Sequence, residues 1–422
     1  MLHYIFRGND APGFFVQAYG LGGNRDMLDI APGNVPPAEG PYLCIVPVLD
    51  AWRAVQKLAR LSNVAYFGDH IEPAVLADIR TGRAMIVLDM SNEGPAFHAD
   101  IFGDLHRFAI ENRLPITRLV WLAQNRAAGA AYVRTFSLPA SEGIQFEYYD
   151  FFVKNTAWMF APQSRRQVLG VDPEAHIARL FEFAAKDRLL LCLNATPRVH
   201  RVVTIGGLIH HGLFDPALVS FPGLSHAKDG DVGDASGVAA FLSANPGLAY
   251  LQDGCTAAMA LEALRVDNFS ETGNALHDKI DVRPYERTYF SLVTETEFTA
   301  GAVDRVTEKL IKAFCLGHPT MVVGNPNALH FVTELGLRDF SPMIPSDYDR
   351  EPDPARRMGM LFDQALSVAA AIRQDPAGWL ESVREIGAHN ARLASSGGLL
   401  DAYVAKYDRP LVERLGRRLA TI

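Results

Sequence analysis

Residues 307–309, Thr-Glu-Lys, place three functional groups suited to a phosphorylated ligand at the start of a predicted helix. Thr307 can cap that helix by accepting a hydrogen bond from a first-turn amide. The other free amides of the turn and the positive end of the helix dipole attract anions. Lys309 would add a full charge for a phosphate, and the Glu308 carboxylate can accept hydrogen bonds from a ribose diol. A capped surface helix with an acidic first turn remains the alternative explanation of these three residues.

A second cationic turn follows another predicted strand. Asn194 ends an apolar run, and Arg198 and Arg201 fall in the loop and first helical turn after it. Ligands of open parallel sheets bind beyond the carboxyl ends of the strands. Guanidinium groups donate in pairs to phosphate oxygens, so two arginines at such an end favour an anionic ligand. For either arginine alone, a solvent-facing position on the helix is the more common situation.

The elements that must position these residues alternate between strand and helix patterns from residue 42 onward. Such alternation predicts parallel sheets covered on both faces. Residues 1–41 are rich in Gly and Pro and are interpreted as an irregular lead-in with two strand-like runs, HYIF and FFVQAY. We expect two α/β domains and a helical C-terminal segment, with ranges 1-170, 171-350 and 351-422.

Bulk composition narrows the class of protein. The chain has 422 residues and a net charge of −8, which argues against a nucleic-acid coat because such a protein needs a basic surface. Its four cysteines form no CxxC pair, and no signal peptide or membrane-length apolar run is apparent, so a reducing, cytoplasmic setting is expected. The basic stretch 403–422 is interpreted as a helix packed on its domain, with peripheral membrane or partner contact as the alternative.

Metal binding is not indicated by the one acidic repeat in the sequence, KDGDVGD at residues 228–234. An EF-hand loop starting at Asp229 would need an oxygen ligand at its fifth position and Glu at its twelfth, which here are Gly233 and Ala240. We therefore expect no metal site and no cofactor.

Residues 306–326 resemble the donor-binding segment of fucosyltransferase-like glycosyltransferases. The family pattern runs from a hydrophobic residue through T-E-K to another hydrophobic residue, then a helix, G-x-P and an apolar strand ending in Gly. In this chain those parts are 306–310, 317–319 and TMVVG. Softer similarity to bacterial members from polysaccharide clusters covers about residues 187–365.

The resemblance implies a GT-B fold, in which two Rossmann-like domains face each other across a cleft and the C-terminal one binds a nucleotide-sugar. It assigns Glu308 to the ribose and Lys309 to the diphosphate, with Arg201 or Arg198 as a less secure phosphate partner. The implied reaction moves a sugar from a nucleotide-sugar, with a GDP-sugar favoured, to a hydroxyl of a glycan or other acceptor. It needs no metal ion, because cationic groups can stabilise the leaving diphosphate.

The acceptor hydroxyl must lose a proton, which calls for a base. Glu93 follows a predicted strand in the N-terminal half and is the first candidate, ahead of Asp89 and Asp150. Glu295 and Glu297 also end a strand, and either could position the donor or cap the nearby helix. A non-catalytic nucleotide-sugar-binding or assembly protein remains the alternative function, and an NAD-dependent enzyme is disfavoured because the stretch YGLGGN lacks the third glycine of a dinucleotide motif.

Overall fold

A computed structural model describes residues 2–7, 14–19, 27–48, 70–94, 96–164, 172–224, 234–266, 280–299 and 301–420. Within them, the predicted α/β class is confirmed: the strands form two sheets, and every pairing within these sheets is parallel. The strands are β1 Leu2–Phe6, β2 Leu28–Ile30, β3 Tyr42–Pro47, β4 Ala84–Met90, β5 Leu119–Ala123, β6 Gln145–Tyr148, β7 Arg188–Leu193, β8 Leu218–Ser220, β9 Thr288–Thr294 and β10 Thr320–Val323.

The helices follow the strands in the alternation that the sequence predicts. They are α1 Phe14–Tyr19, α2 Pro73–Arg80, α3 Ala99–Glu111, α4 Ala128–Phe136, α5 Phe151–Phe160, α6 Pro173–Leu180, α7 Val199–His210, α8 Ala235–Ala244, α9 Gln252–Met259, α10 Arg283–Glu286, α11 Glu308–Cys315, α12 Ala328–Glu334, α13 Pro354–Gln374, α14 Pro376–Ser395, α15 Gly398–Tyr403 and α16 Arg409–Ala420. None of the described helices combines the length and the apolar composition needed to cross a bilayer.

The chain divides into two compact units, and neither is continuous in sequence. Unit 1 contains residues 1–155, 301–305 and 400–422, and unit 2 contains residues 156–300 and 306–399. Of the C-terminal helices, α13 and α14 therefore belong to unit 2 and α16 belongs to unit 1.

Unit 1 is built on a six-stranded sheet in the order β2-β1-β3-β4-β5-β6. Strand β4 is buried along its whole length, as expected of an apolar run in a parallel sheet covered on both faces. The interpretation of residues 1–41 as an irregular lead-in is wrong, because β1 pairs with β3 inside the sheet and β2 forms its edge. The run FFVQAY is also not a strand but helix α1.

The C-terminal helix α16 completes unit 1. Its leucines at positions 411, 415 and 419 are buried, which is the packing that the amphipathic pattern predicts. On the polar side, Arg414 and Arg418 pair with the Glu147 carboxylate at 2.8 and 3.0 Å. The sequence AWRAVQKLARL at 51–61 has helical spacing and NVAYFGD at 63–69 favours a strand, but both stretches lie outside the described residues.

Unit 2 is built on a four-stranded sheet in the order β10-β9-β7-β8. Numbered along the chain, this order is 4-3-1-2, the arrangement of a Rossmann-like, flavodoxin-type sheet. The connections after β7 and β8 lead to opposite sides of β7, so the topological switch point lies between β7 and β9. Helix α9 packs against α7, whereas α11 packs against β9 and β10. The fold therefore makes the carboxyl ends of β7 and β9 the expected place for a ligand.

Candidate functional site

A cavity of about 340 Å³ borders β7 and β9 in unit 2, at the topological switch point. Its apolar wall includes Leu191 and Leu193 of β7 and Val293 of β9. Leu191 pairs in register with Ser291, so these two side chains lie on the same face of the sheet. Other parts of the wall come from α11, from the segments that follow β7 and β8, and from residues 263–265, 280–281 and 284–285. The cavity thus extends from the carboxyl ends of the strands along one sheet face.

The first two turns of α11 contribute charged residues to the wall of this cavity. Glu308, Lys309 and Lys312 all line it. The Lys309 Nζ lies 2.9 Å from Glu308 Oε1 and 3.2 Å from Thr307 Oγ1. Glu308 is 5% exposed, so this pair is shielded from solvent more than an ordinary surface pair. Thr307 caps α11 as predicted, its side chain accepting from the Lys309 amide.

Glu295 follows β9, and its carboxylate binds the N-terminal end of α11. Its Oε1 accepts from the amides of Thr307 and Leu310, at 3.1 and 3.3 Å. Its Oε2 accepts from the Thr307 hydroxyl at 2.6 Å. The carboxylate therefore occupies the position at the helix terminus where an external anion would bind. The expectation that these amides are free is wrong, because the chain supplies its own anion.

Arg201 and His200, on the first turn of α7, hold the backbone of Glu295. Arg201 Nη2 donates to the Glu295 carbonyl at 3.0 Å and Arg201 Nη1 to the Thr196 carbonyl at 3.1 Å. Burial lowers the pKa of Arg201 to about 10, and the nearby Arg198 charge adds to this. The ring of His200 also lies 2.9 Å from the Glu295 carbonyl, and burial lowers its pKa to about 3. These side chains fix the loop that carries Glu295.

Asn194 is one of the residues that line the cavity, whereas Arg198 is not. Asn194 lines it and joins the strand ends: its Oδ1 accepts from the Thr294 hydroxyl at 2.7 Å, and its Nδ2 donates to the Ser220 carbonyl at 3.2 Å. Arg198 forms a 3.5 Å ion pair with Glu297, and both side chains are partly exposed. Among the predicted donor-binding residues, the cavity wall thus includes Asn194, Glu308 and Lys309. Glu295, Thr307 and Arg201 form the layer that supports α11.

Glu93, the candidate base, lies in unit 1 just after β4. Its Oε2 is 3.3 Å from Arg305 Nη1, which also lies 3.4 Å from Gln124 Oε1. Arg305 runs across Gly94, where an added Cβ would come within 2.6 Å of the Arg305 Cδ. Glu93 is about a third exposed, so its carboxylate is accessible to solvent.

The lesser candidates, Asp89 and Asp150, are buried and bound to the protein's own backbone. Asp89 accepts from the Phe15 amide at 2.9 Å and the Ser91 amide at 3.0 Å. Burial raises the pKa of Asp89, which those hydrogen bonds partly offset. Asp150 accepts from the Val153 amide at 2.9 Å.

Several residues of the cavity wall are not predicted by the sequence analysis. Lys312 had a detectable signal, because it stands four positions after Glu308 and so shares a helix face with it. Arg265, Asp281 and Tyr285 had none, since they come from irregular segments and the short α10. Asp281 pairs with Arg283 at 2.5 Å, which lowers the pKa of its carboxyl.

The chain was compared with protein-family models, with curated proteins and with solved structures, and no match was found in any of the three.

Proposed function

We propose that unit 2 binds a nucleotide-sugar in the cavity beside α11 and that the protein is a glycosyltransferase of the GT-B type. The donor favoured by the resemblance is a GDP-sugar, and the acceptor is a hydroxyl of a glycan or another molecule in the cytoplasm. The observation that carries the proposal is the position of Glu308 and Lys309 in the wall of a cavity at the switch point of a Rossmann-like sheet.

In the proposed complex, the Glu308 carboxylate accepts from the ribose hydroxyls and Lys309 binds the diphosphate. Because Glu295 already neutralises the helix terminus, phosphate charge is balanced by side chains and not by free α11 amides. Lys312, one turn along, brings a second ammonium group to the same wall. Cations fixed in place before reaction stabilise the charge that builds on the departing diphosphate, without a metal ion.

Glu93 remains the proposed base for the acceptor hydroxyl. Its partly exposed carboxylate follows β4 at the carboxyl end of the unit 1 sheet, where ligands of such sheets bind. Arg305 holds the carboxylate from one side and limits the orientations that it samples. The chemistry required of it is acceptance of one proton as the sugar is transferred.

Calorimetric titration with GDP-, UDP- and CMP-sugars tests the proposal. We expect one of them to bind, and Glu308→Gln and Lys309→Met each to weaken that binding by about 10-fold or more, since charge-assisted hydrogen bonds contribute about 1.5–3 kcal/mol. Glu385→Gln is the matched control, because Glu385 lies in unit 2 in an exposed pair with Arg338. Failure of all three donors to bind the wild type contradicts the proposal.

The alternative is a nucleotide-sugar-binding protein without transferase activity. It predicts the same titration results but no transfer or hydrolysis of the bound donor. Release of free nucleoside diphosphate, followed with and without a chelator over a panel of glycan acceptors, separates the two. Glu93→Gln should abolish release in the transferase while leaving donor affinity unchanged.

A further inference from the structure

A buried serine–histidine pair adjoins the wall of the cavity. Ser291, on β9, lines the cavity, and its Oγ is 2.8 Å from Nδ1 of His318. The other ring nitrogen, Nε2, is 3.0 Å from the carbonyl oxygen of Thr288. His318 is fully buried and Ser291 is 1% exposed. Neither residue has a role in the donor-binding scheme above.

The hydrogen-bond chain fixes the direction of every proton in this pair. A carbonyl oxygen can only accept, so His318 Nε2 must carry a hydrogen to bond the Thr288 carbonyl. The Thr288 hydroxyl donates to the Pro284 carbonyl at 2.9 Å, so it too can only accept from the ring. With its hydrogen on Nε2, the neutral ring presents a lone pair at Nδ1. Ser291 must therefore donate its single hydroxyl hydrogen to His318.

The neutral state of His318 is secured by its surroundings. Burial lowers the pKa of His318 to about 3, and the Lys186 charge acts in the same direction. Lys186 Nζ itself donates to the Thr288 carbonyl at 2.8 Å. A ring that resists protonation so strongly is a poor general base, so the pair is unsuited to activating Ser291 as a nucleophile. The consequence of this arrangement is that the Ser291 hydroxyl donates to His318 and can only accept any further hydrogen bond.

The geometry points to Ser291 as a specificity-determining residue that presents only lone pairs to the cavity and selects ligands carrying an N–H or NH₂ donor on a flat ring. Among the described residues, no group donates to the Ser291 Oγ. The cavity wall includes the apolar side chains of Leu191 and Val293, on the same sheet face as Ser291, and the ring of Tyr285 on α10. A ring fits such a wall, and a ring acceptor placed against the Ser291 lone pairs is rejected.

This inference deepens the proposed function, on which it rests for the identity of the ring as the nucleobase. The base lies along the sheet face and one of its N–H groups donates to Ser291, while the diphosphate reaches Lys309 and Lys312. A site built to bond one polar group rejects analogues that lack it, because the buried partner is then left unpaired.

The first test compares the affinity of GDP and of inorganic pyrophosphate for the wild type and Ser291→Ala. We expect GDP to bind about 3–10-fold more weakly to the variant, the loss of one neutral hydrogen bond, and pyrophosphate to bind equally to both. Ser367→Ala is the matched control, since the Ser367 hydroxyl bonds the Asp363 carbonyl on an exposed helix. Unchanged GDP affinity in Ser291→Ala, or an equal loss for pyrophosphate, overturns the inference.

A second test does not require that any nucleotide binds. Benzamide and N,N-dimethylbenzamide share a ring and a carbonyl, but only benzamide has N–H donors, and their binding can be followed by ligand-observed NMR. We expect the wild type to prefer benzamide by about 3–10-fold and Ser291→Ala to lose that preference. A preference that persists in Ser291→Ala reflects size alone and overturns the inference, as does equal or absent binding of both amides to the wild type. If the amides behave as expected while no nucleotide-sugar binds, the proposed function fails and the polarity of the site stands.

Discussion

The carboxyl ends of the two parallel sheets carry similar polar residues but use them differently. In unit 1, Asp89 and Asp150 accept hydrogen bonds from the protein's own amides. In unit 2, Glu308 and Lys309 border a cavity, and Glu295 satisfies the amides behind them. A polar residue after a strand therefore indicates a binding site only where the protein's backbone has not already used its hydrogen-bonding capacity.

The largest expected effect concerns a buried ion pair in unit 1, where polar groups are used to stabilise the fold. Lys154 and Asp408 form a fully buried ion pair, and Lys154 also donates to the Tyr19 carbonyl at 3.3 Å. Lys154→Met leaves the Asp408 charge buried without its cation, so we expect a loss of about 3–5 kcal/mol in the free energy of unfolding. Urea denaturation measures it. The double variant Lys154→Met/Asp408→Leu should recover most of the loss, and a single-variant loss below about 1 kcal/mol would contradict the structural role.

The next prediction concerns the support of the cavity in unit 2. Glu295→Ala removes the acceptor for the Thr307 and Leu310 amides, so we expect a loss of about 2–3 kcal/mol in the free energy of unfolding. Donor affinity should fall as well, because Lys309 sits on the turn that Glu295 holds. Glu297→Ala is the control, since Glu297 lies two residues away in a partly exposed pair with Arg198. Equal effects of the two substitutions would show that the helix start does not depend on Glu295.

The third prediction concerns the pH dependence of the free energy of unfolding, to which His318 of unit 2 contributes. Burial holds the pKa of His318 at about 3, whereas the unfolded imidazole titrates at 6.5. Between these values the unfolded state binds the extra proton, so the stabilising effect of neutral His318 is complete above pH 6.5 and is lost progressively as the pH falls towards 3. We expect His318→Gln, whose amide can both donate and accept, to lose about 2 kcal/mol less stability than the wild type between pH 7.5 and 5.

Urea denaturation at several pH values measures that difference. The comparison with the variant is needed because Asp349, also in unit 2, acts in the opposite direction. Burial raises its pKa from 3.8 to about 6, so the folded state binds the proton between these values. Parallel pH curves for the wild type and His318→Gln would show that His318 binds its proton in the folded state as readily as in the unfolded state.

The smallest expected effect concerns Glu93. In Gly94→Ala the new methyl group would lie 2.6 Å from the Arg305 Cδ, so the Arg305 side chain must move away. We expect a cost of about 1 kcal/mol in stability, and a larger relative loss of transfer rate if Arg305 orients Glu93 for catalysis. Arg305→Met should reproduce the loss of rate without the steric cost. An unchanged rate in both variants would show that Glu93 does not depend on Arg305 for its orientation.

The elements predicted with success are those whose sequence pattern is complete within one segment. The apolar run of β4 and the Thr307 cap with its amphipathic helix belong to this group. Strand β2 has only three residues and no readable alternation, so its place at the sheet edge depends on pairing with β1. The run FFVQAY forms a helix although its pattern favours a strand, because short apolar runs suit either structure.

The candidate site was predictable only in part for the same reason. Glu308 and Lys309 are adjacent in a recognisable pattern, and both line the cavity. The bond from Glu295 to the start of α11 joins residues 12 positions apart, and the pair of Ser291 and His318 joins residues 27 positions apart. No local pattern encodes such contacts, because they are set by which strands become neighbours in the sheet.

The discontinuity of unit 1 bears on how this chain is made. When the ribosome has synthesised Lys154, the residue that will neutralise it is still 254 positions away. Tyr403, whose hydroxyl bonds both the amide and the carbonyl of Asp150, is almost as distant. The sheet that is translated first therefore lacks these buried partners until nearly the whole chain has emerged. A nascent chain ending near residue 399 would carry a complete unit 2 and a unit 1 with an uncompensated buried lysine. The packing of the first sheet is therefore completed only when the last helices have been synthesised.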